Sequence, residues 1–110
     1  MRPDDRRRVR LALQLRQDEF GRLLGVDAAT VSRWENGKAL TSWQASVLEA
    51  MQLSLRLRPA IAVDVAGFLR ADRIGYALGA ALGPAAAATP IPEVPRGPPP
   101  RVRHPRDRLR

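Results

Sequence analysis

The stretch QDEFGRLLGVDAATVSRWENGK, residues 17–38, decides how this chain folds. It contains two short segments with apolar residues at helical spacing, separated by Gly25. Two short helices can pack against each other across a tight turn only if the residues that face each other are apolar and the residue at the helix crossing is small. Gly21 occupies the small position. The apolar positions are Phe20, Leu24, Val26, Val31 and Trp34.

Local signals set the bounds of these two helices. Gly25 suits the left-handed position that follows a helix, because glycine has no Cβ to clash there. Asp27 is a good N-cap, since its carboxylate can accept from free backbone N–H groups. Asn36-Gly37 is a turn signal. The pattern therefore predicts helices over residues 17–24 and 28–35.

The rest of residues 1–83 also reads as helix, because no segment sustains the alternation of a strand. Asp4 or Asp5 is the expected cap of the first helix, and residues 41–44 form a capping box for the fourth. Residues 53–58 alternate but have no partner strand, so they are interpreted as an irregular end of the fourth helix. Pro59 starts the fifth helix, with Ile61, Val65, Phe68 and Leu69 packing, and Asp72 caps the sixth, with Ile74, Leu78 and Leu82 aligned. The helices predicted outside the central stretch cover residues 6–15, 42 to about 51 or 53, 59–70 and 73–82.

The composition changes near residue 84. Residues 84–110 hold eight of the ten prolines and carry six arginines against two acids, or half of the net charge of +8. Such a segment buries too little apolar surface to offset its ordering entropy, so we predict a disordered, polyproline-like tail. It could solubilise the chain, bind phosphates or bind a partner protein; the phosphate-binding arm is favoured. We therefore predict that the chain is divided into three segments: a first helical domain at residues 1–57, accessory helices at residues 58–83 and the tail at residues 84–110.

Charge and composition narrow the function. The excess of 19 basic over 11 acidic residues favours a polyanionic partner. With no Cys and one His, the chain lacks the usual residues of a thiolate nucleophile, a zinc site or a Ser/His/Asp triad. It also lacks a phosphate-cradling glycine loop and paired carboxylates on one face. We therefore expect no enzyme, no catalytic residue, no metal and no cofactor.

Targeting signals are also missing from the sequence. The N-terminal residues are charged and precede no apolar run of signal-peptide length. The longest uncharged stretch begins at Ile74 and meets Pro84 before it reaches the length of a membrane span. These features predict a cytoplasmic protein, of bacterial type, with no membrane partner.

Residues 6–51, centred on the stretch quoted above, resemble the helix-turn-helix of the Cro/phage-repressor (XRE-type) family of DNA-binding regulators. The resemblance rests on the two turn glycines, the apolar positions and the ending Ser-Arg-Trp-Glu-Asn-Gly-Lys. It implies an all-α fold, a small helical bundle of lambda-repressor-like type, here with extra C-terminal helices and the tail.

The resemblance also implies roles for individual residues. Helix 28–35 would be the recognition helix in the major groove of double-stranded DNA. Gln17 would meet a phosphate from the start of the preceding helix, and the loop after the recognition helix would meet the other strand's backbone. For the outward residues the alternatives are a solvated arginine and alanines that merely favour helix. The implied DNA-binding residues are Gln17, Ala28, Ala29, Ser32, Arg33, Asn36 and Lys38.

Other positions are expected to be structural or depart from the family pattern. Trp34 should lie in the core, and Arg10 and Glu35 look like the family's internal ion pair. Arg16 stands where a capping residue is usual, and Gly21 replaces the commoner alanine, which should weaken its helix by roughly 0.5–1 kcal/mol. Arg6 takes an often apolar position, so the first helix is expected to be shifted or frayed, unless Arg6, with residues 7 and 8, contacts phosphates.

These observations support several functions. The first is a sequence-specific transcriptional regulator, most simply a repressor. The alternative is an antitoxin that binds a toxin protein and represses its own operon, and a third is a protein-interaction module that does not bind DNA. A homodimer is expected, because a single helix-turn-helix reads few base pairs. Gly75, Gly79 and Gly83 offer a close helix contact within residues 61–82, although they could equally serve packing inside one chain.

Overall fold

The structure, a computed structural model, describes residues 1–88. These residues form an all-α bundle with no strand in the described part, as the sequence predicts. The helices are α1 (Pro3–Ala12), α2 (Gln17–Leu24), α3 (Ala28–Glu35), α4 (Ser42–Leu57), α5 (Ile61–Arg70) and α6 (Ile74–Ala88).

Helix α1 begins three residues earlier than the sequence predicts. Pro3 occupies the first turn, where its fixed φ suits a helix and its missing N–H is no loss. The N-cap is Arg2, so the expectation that Asp4 or Asp5 caps the helix is wrong. Asp5 instead accepts a hydrogen bond from the backbone nitrogen of Arg2 (3.2 Å). The helix ends before Gln14, whose φ of 59° is left-handed.

The α2–turn–α3 unit has the bounds that the sequence predicts. Gly25 follows α2 with φ 76°, as expected for a left-handed C-terminal residue. The backbone of Val26 then donates to the carbonyl of Gly21 (2.8 Å). A Cβ on Gly21 would overlap the carbonyl oxygen of Val26. The absence of a side chain at Gly21 therefore allows the turn to fold back closely on α2.

Helix α4 has the predicted capping box but is longer than expected. Gln44 N–H donates to Thr41 Oγ1 (3.1 Å), and Thr41 N–H donates to Gln44 Oε1 (3.0 Å). The interpretation of residues 53–58 as an irregular end is wrong, because regular helix continues to Leu57. The chain leaves the helix just before Pro59, as the steric restriction on a residue preceding proline favours.

Helices α5 and α6 correct two further expectations. Helix α5 begins at Ile61, two residues after Pro59. Helix α6 passes through Pro84 and ends at Ala88, so the tail does not begin at residue 84. The buried hydroxyl oxygen of Ser54 accepts a hydrogen bond from the nitrogen of Ala85 (2.9 Å), which anchors α6 to α4 directly after the proline. The remaining tail, residues 89–110, lies outside the described residues.

The most buried stripe of α6 is not the aligned set Ile74, Leu78 and Leu82 that the sequence singles out. Its fully buried side chains are Ala77, Ala81 and Ala85, whereas Ile74, Leu78 and Leu82 are only half-buried. Small side chains let α6 lie close to α4 and α5 and share one core with the helix-turn-helix. The large side chains of that core include Phe20, Trp34, Leu13, Leu48, Met51 and Leu69. Within residues 1–88, no helix is long and apolar enough to span a bilayer.

Candidate nucleic-acid interface

Helix α3 is held in a defined rotation by its buried side chains. Val31 is fully buried and Trp34 is 3% exposed, which confirms the expected core role of the tryptophan. Asp27 caps the helix by accepting a hydrogen bond from the nitrogen of Thr30 (2.9 Å). A hydrogen bond from the Thr30 hydroxyl, and then the one from its backbone nitrogen, hold the pKa of Asp27 below its usual value. Core and cap together fix which face of α3 meets solvent.

The four outward positions predicted on α3 share that solvent face. Ala29 and Arg33 are exposed, while Ala28 and Ser32 are half-buried. Residues four apart are neighbours along a helix, so the four form two adjacent pairs. The guanidinium of Arg33 is exposed, and its Nη2 makes one long hydrogen bond to Thr30 Oγ1 (3.3 Å). Apart from Arg33, the side chains at these outward positions are small and uncharged.

Gln17 lies elsewhere than the sequence suggests. Its side chain is half-buried, and Nε2 donates to Glu35 Oε1 (3.3 Å) instead of pointing outward. The N-terminus of α2 is capped by Glu19, which accepts from the backbone nitrogen of Arg16 (2.9 Å). Arg16 contributes no side-chain cap, as expected for a residue without an acceptor. A phosphate contact by Gln17 stays a prediction.

The loop after α3 is a compact turn with an exposed cation. Asn36 Nδ2 donates back to the carbonyl of Ser32 (2.9 Å), and Gly37 takes φ 104°. The backbone nitrogen of Lys38 donates to the carbonyl of Arg33 (2.9 Å). The side chains of Asn36 and Lys38 are exposed, so both remain accessible beside the end of α3.

The ion pair expected between Arg10 and Glu35 is confirmed. Arg10 Nε donates to Glu35 Oε2 (2.6 Å) and Nη2 donates to Oε1 (3.0 Å), so the pair is bidentate. The Glu35 side chain is 2% exposed. Burial alone would raise the pKa of Glu35, but hydrogen bonds from Arg10 and Gln17 outweigh it and hold the pKa below its usual value. The carboxylate thus stays ionised and ties α1 to the end of α3.

Arg6 is the residue that sequence reasoning missed. Helix α1 was expected to be shifted or frayed; it is shifted by three residues, but the expected fraying is wrong, because Arg6 is buried inside regular helix. Its guanidinium donates to the backbone carbonyls of Trp34, in the last turn of α3, and of Lys38, in the turn that follows. The same burial argues against a phosphate contact. The only sequence signal was a charged residue at an often apolar position, which indicates an anomaly but not its partner.

Within residues 1–88, no group of three or more His, Cys, Asp or Glu side chains could hold a metal ion. The arrangement offers instead an exposed helix face, an arginine and a lysine that suit a polyanion.

A helix-turn-helix family model matches residues 7–42, about a third of the chain. No curated protein and no solved structure gives a significant match. Residues 7–42 are therefore a helix-turn-helix domain of the Cro/phage-repressor (XRE) type, a family of DNA-binding transcription regulators.

Proposed function

We propose that this chain is a sequence-specific repressor that inserts α3 into the major groove of double-stranded DNA. The observation that carries the proposal is the solvent face of α3, which is fixed in rotation by Val31 and Trp34 and presents Arg33. A major groove admits one α-helix, and its base edges are read by side chains on the outward face. A repressor needs no further domain, because occupying a promoter is sufficient to block it.

Each outward residue has a chemical role in this proposal. Arg33 donates in forked fashion to O6 and N7 of guanine, after releasing its long hydrogen bond to Thr30. Ser32 can pair with either kind of base, and Ala28 and Ala29 are small enough to contact a thymine methyl. Arg33 therefore carries most of the base discrimination.

The backbone of the DNA would be held from both ends of the motif. Asn36 and Lys38 are exposed beside the end of α3, where they can reach phosphates. Gln17 would first exchange its hydrogen bond to Glu35 for one to a phosphate. Arg7 and Arg10 both contact Glu35, so that carboxylate keeps partners when Gln17 leaves.

Selection of bound duplexes from a random library tests the proposal. The wild-type chain should enrich a palindromic site, and Arg33→Ala should lose preference at one base pair in each half-site, with a discrimination loss of about 1–3 kcal/mol. Arg70→Ala is the matched control, because it removes one exposed arginine from α5, outside the motif. No enrichment by the wild-type chain, or equal enrichment by the two variants, would contradict the assignment.

A homodimer through residues 61–82 is part of the proposal. Helix α6 carries no Asp, Glu, Lys or Arg, and its exposed glycines have open space where a Cβ would stand. Tyr76 lies on the same helix and is 63% exposed. A second copy of α6 could therefore approach closely without burying a charge.

Light scattering tests the dimer. The wild-type chain should have twice the monomer mass, and Gly79→Arg should be monomeric, because the added side chain has room in the monomer but not between two copies. Ser46→Arg places the same charge on an exposed position of α4 and should leave the mass unchanged. A monomeric wild-type chain at micromolar concentration would refute this contact.

The tail is proposed as a phosphate-binding arm, on the basis of its six arginines. Deleting residues 90–110 should make the logarithm of the DNA association constant fall less steeply with the logarithm of salt concentration, because fewer counterions are released. An unchanged slope would exclude a phosphate-binding role for the tail.

The antitoxin alternative stays a prediction, and stable co-purification with the product of an adjacent toxin gene would favour it.

A further inference from the structure

Arg6 is a buried cation whose partners are backbone carbonyls. It is 8% exposed, and within residues 1–88 it forms no ion pair with a carboxylate. Its Nη1 donates to the carbonyls of Trp34 (2.8 Å) and Lys38 (2.6 Å), and Nη2 makes a longer contact to the carbonyl of Met1 (3.4 Å). A buried charge is costly unless hydrogen bonds replace its hydration, and here the last turn of α3 and the turn that follows it supply the two short ones.

The two close carbonyls stand on either side of Gly37, which has a left-handed backbone conformation. Trp34 lies in the last turn of α3, where carbonyls lack helical partners and carry the negative end of the helix dipole. Lys38 lies four residues on, beyond Gly37, whose φ of 104° is one that glycine adopts freely. A single guanidinium nitrogen bridges the two carbonyls. Arg6 therefore adds a tertiary restraint to a turn whose own backbone supplies only short-range hydrogen bonds, from Gly37 to Trp34 (3.2 Å) and from Lys38 to Arg33 (2.9 Å).

We propose that Arg6 is a positioning residue for DNA binding: it holds the turn at residues 36–38 in the conformation that presents Lys38 and the end of α3 to the DNA backbone. The inference rests on the proposed function. Without Arg6 the turn samples other conformations, and the cost of ordering it moves to the binding step, where it lowers affinity. Arg6 acts through the turn, because its burial prevents contact with a phosphate.

The unsatisfied Nε of Arg6 distinguishes this role from simple stabilisation. That nitrogen is buried without a hydrogen-bond partner, which opposes folding. An apolar side chain of similar length would fill the same space without that defect, and such replacements of buried charges are often neutral. Arg6→Met should therefore fold, while the turn loses its restraint.

The experiment compares Arg6→Met with Arg8→Met, which removes the same charge from an exposed position of α1. At a temperature where both are folded, Arg6→Met should bind the selected DNA site about tenfold more weakly than wild type, the effect of losing one hydrogen bond to a charged group. Arg8→Met should change affinity little. Arg6→Lys retains an ammonium donor and should show a smaller loss. Amide exchange at Lys38 should speed up in Arg6→Met and not in Arg8→Met.

A double-mutant cycle with Lys38→Ala measures the coupling between Arg6 and Lys38 in DNA affinity, which a purely structural role of Arg6 would not produce. If Arg6 works through the turn, the Arg6→Met effect on affinity shrinks when the Lys38 side chain is absent. Additive effects, unchanged exchange at Lys38, or equal affinities of the two Met variants would each overturn the inference while the proposed function stands. A wild-type chain with no DNA preference would instead overturn the proposed function, and this inference with it.

Discussion

The two halves of the bundle are held together by different chemistry. Where α1 meets α3, buried polar groups dominate: Arg6 and Arg10 point at carbonyls and a carboxylate around the end of α3. Where α6 meets α4 and α5, the buried side chains of α6 are Ala77, Ala81 and Ala85, and Ser54 of α4 adds one hydroxyl. At the edge of this contact, Phe68 of α5 stacks on Tyr76 of α6, with the ring centroids 5.6 Å apart. The first contact depends on charge and direction, the second on volume. The two halves should therefore respond to different perturbations.

Removing a charge should have the largest effect, at the α1–α3 contact. Arg10→Met leaves the buried carboxylate of Glu35 without its bidentate partner, and breaking a buried pair this way should lower the free energy of unfolding by about 3–5 kcal/mol. Urea unfolding measures the loss. Arg8→Met, at an exposed position of the same helix, is the control, and equal losses in the two variants would contradict the distinction.

Acid should weaken the same contact. Because the pKa of Glu35 is lower in the folded chain than the usual 4.5, its stabilising effect is complete above that value and is lost as the pH falls through the folded pKa. The loss should not exceed that of Arg10→Met. Glu35→Gln should reduce the dependence of stability on pH below 4.5. Part of the pH dependence of stability that remains in this variant should come from Asp18 and Asp27, because their pKa values are also lowered. An unchanged slope would contradict the assignment.

Added volume should act mainly at the α4–α6 contact. Ala81 is fully buried, so Ala81→Leu forces the helices apart and should lower the free energy of unfolding by about 2–3 kcal/mol. Ala86→Leu adds the same atoms to an exposed position of α6 and should be nearly neutral. If thermal unfolding finds both variants as stable as wild type, the alanine stripe is not a close contact.

Gly21→Ala tests the one place in the helix-turn-helix where volume also matters. An added Cβ meets the Val26 carbonyl, so the variant should lose about 1–2 kcal/mol of unfolding free energy, although alanine favours helix. This direction is opposite to the expectation from helix propensity alone. A more stable variant in urea unfolding would show that the turn can move away.

The smallest predicted effect is a gain in stability, at Gly67. Gly67 lies on the exposed face of α5 with open space around a Cβ, so Gly67→Ala should raise the free energy of unfolding by about 0.5–1 kcal/mol. It is the matched control for Gly21→Ala, because the chemical change is the same and only the surroundings differ. Opposite signs in one denaturation series would support the close approach at Gly21.

Features with local causes could be predicted from the sequence. The bounds of α2 and α3, the left-handed Gly25, the Asp27 cap and the Thr41 capping box each depend on residues within one helical turn. The resemblance to a known motif added the Arg10–Glu35 pair, which joins residues 25 positions apart. The early start of α1 was also local, and Pro3 was the signal for it.

Features that depend on distant partners could not be predicted in the same way. Periodicity aligned the larger residues Ile74, Leu78 and Leu82, but the side chains that α6 buries most are alanines, because α4 and α5 lie close to it. The continuation of α6 past Pro84 likewise depends on anchoring to α4, where Ser54 meets Ala85, 31 residues away.

The amino-acid sequence by itself determined the helical elements of the motif and the residues on the solvent face of α3, because caps, turns and apolar spacing are properties of neighbouring residues. Tertiary structure alone decided that Arg6 is buried, that Gln17 turns toward Glu35 and that alanines form the α6 contact. The physical reason is that each of these outcomes depends on carbonyls, carboxylates or free volume that only the packing of separate helices brings within reach.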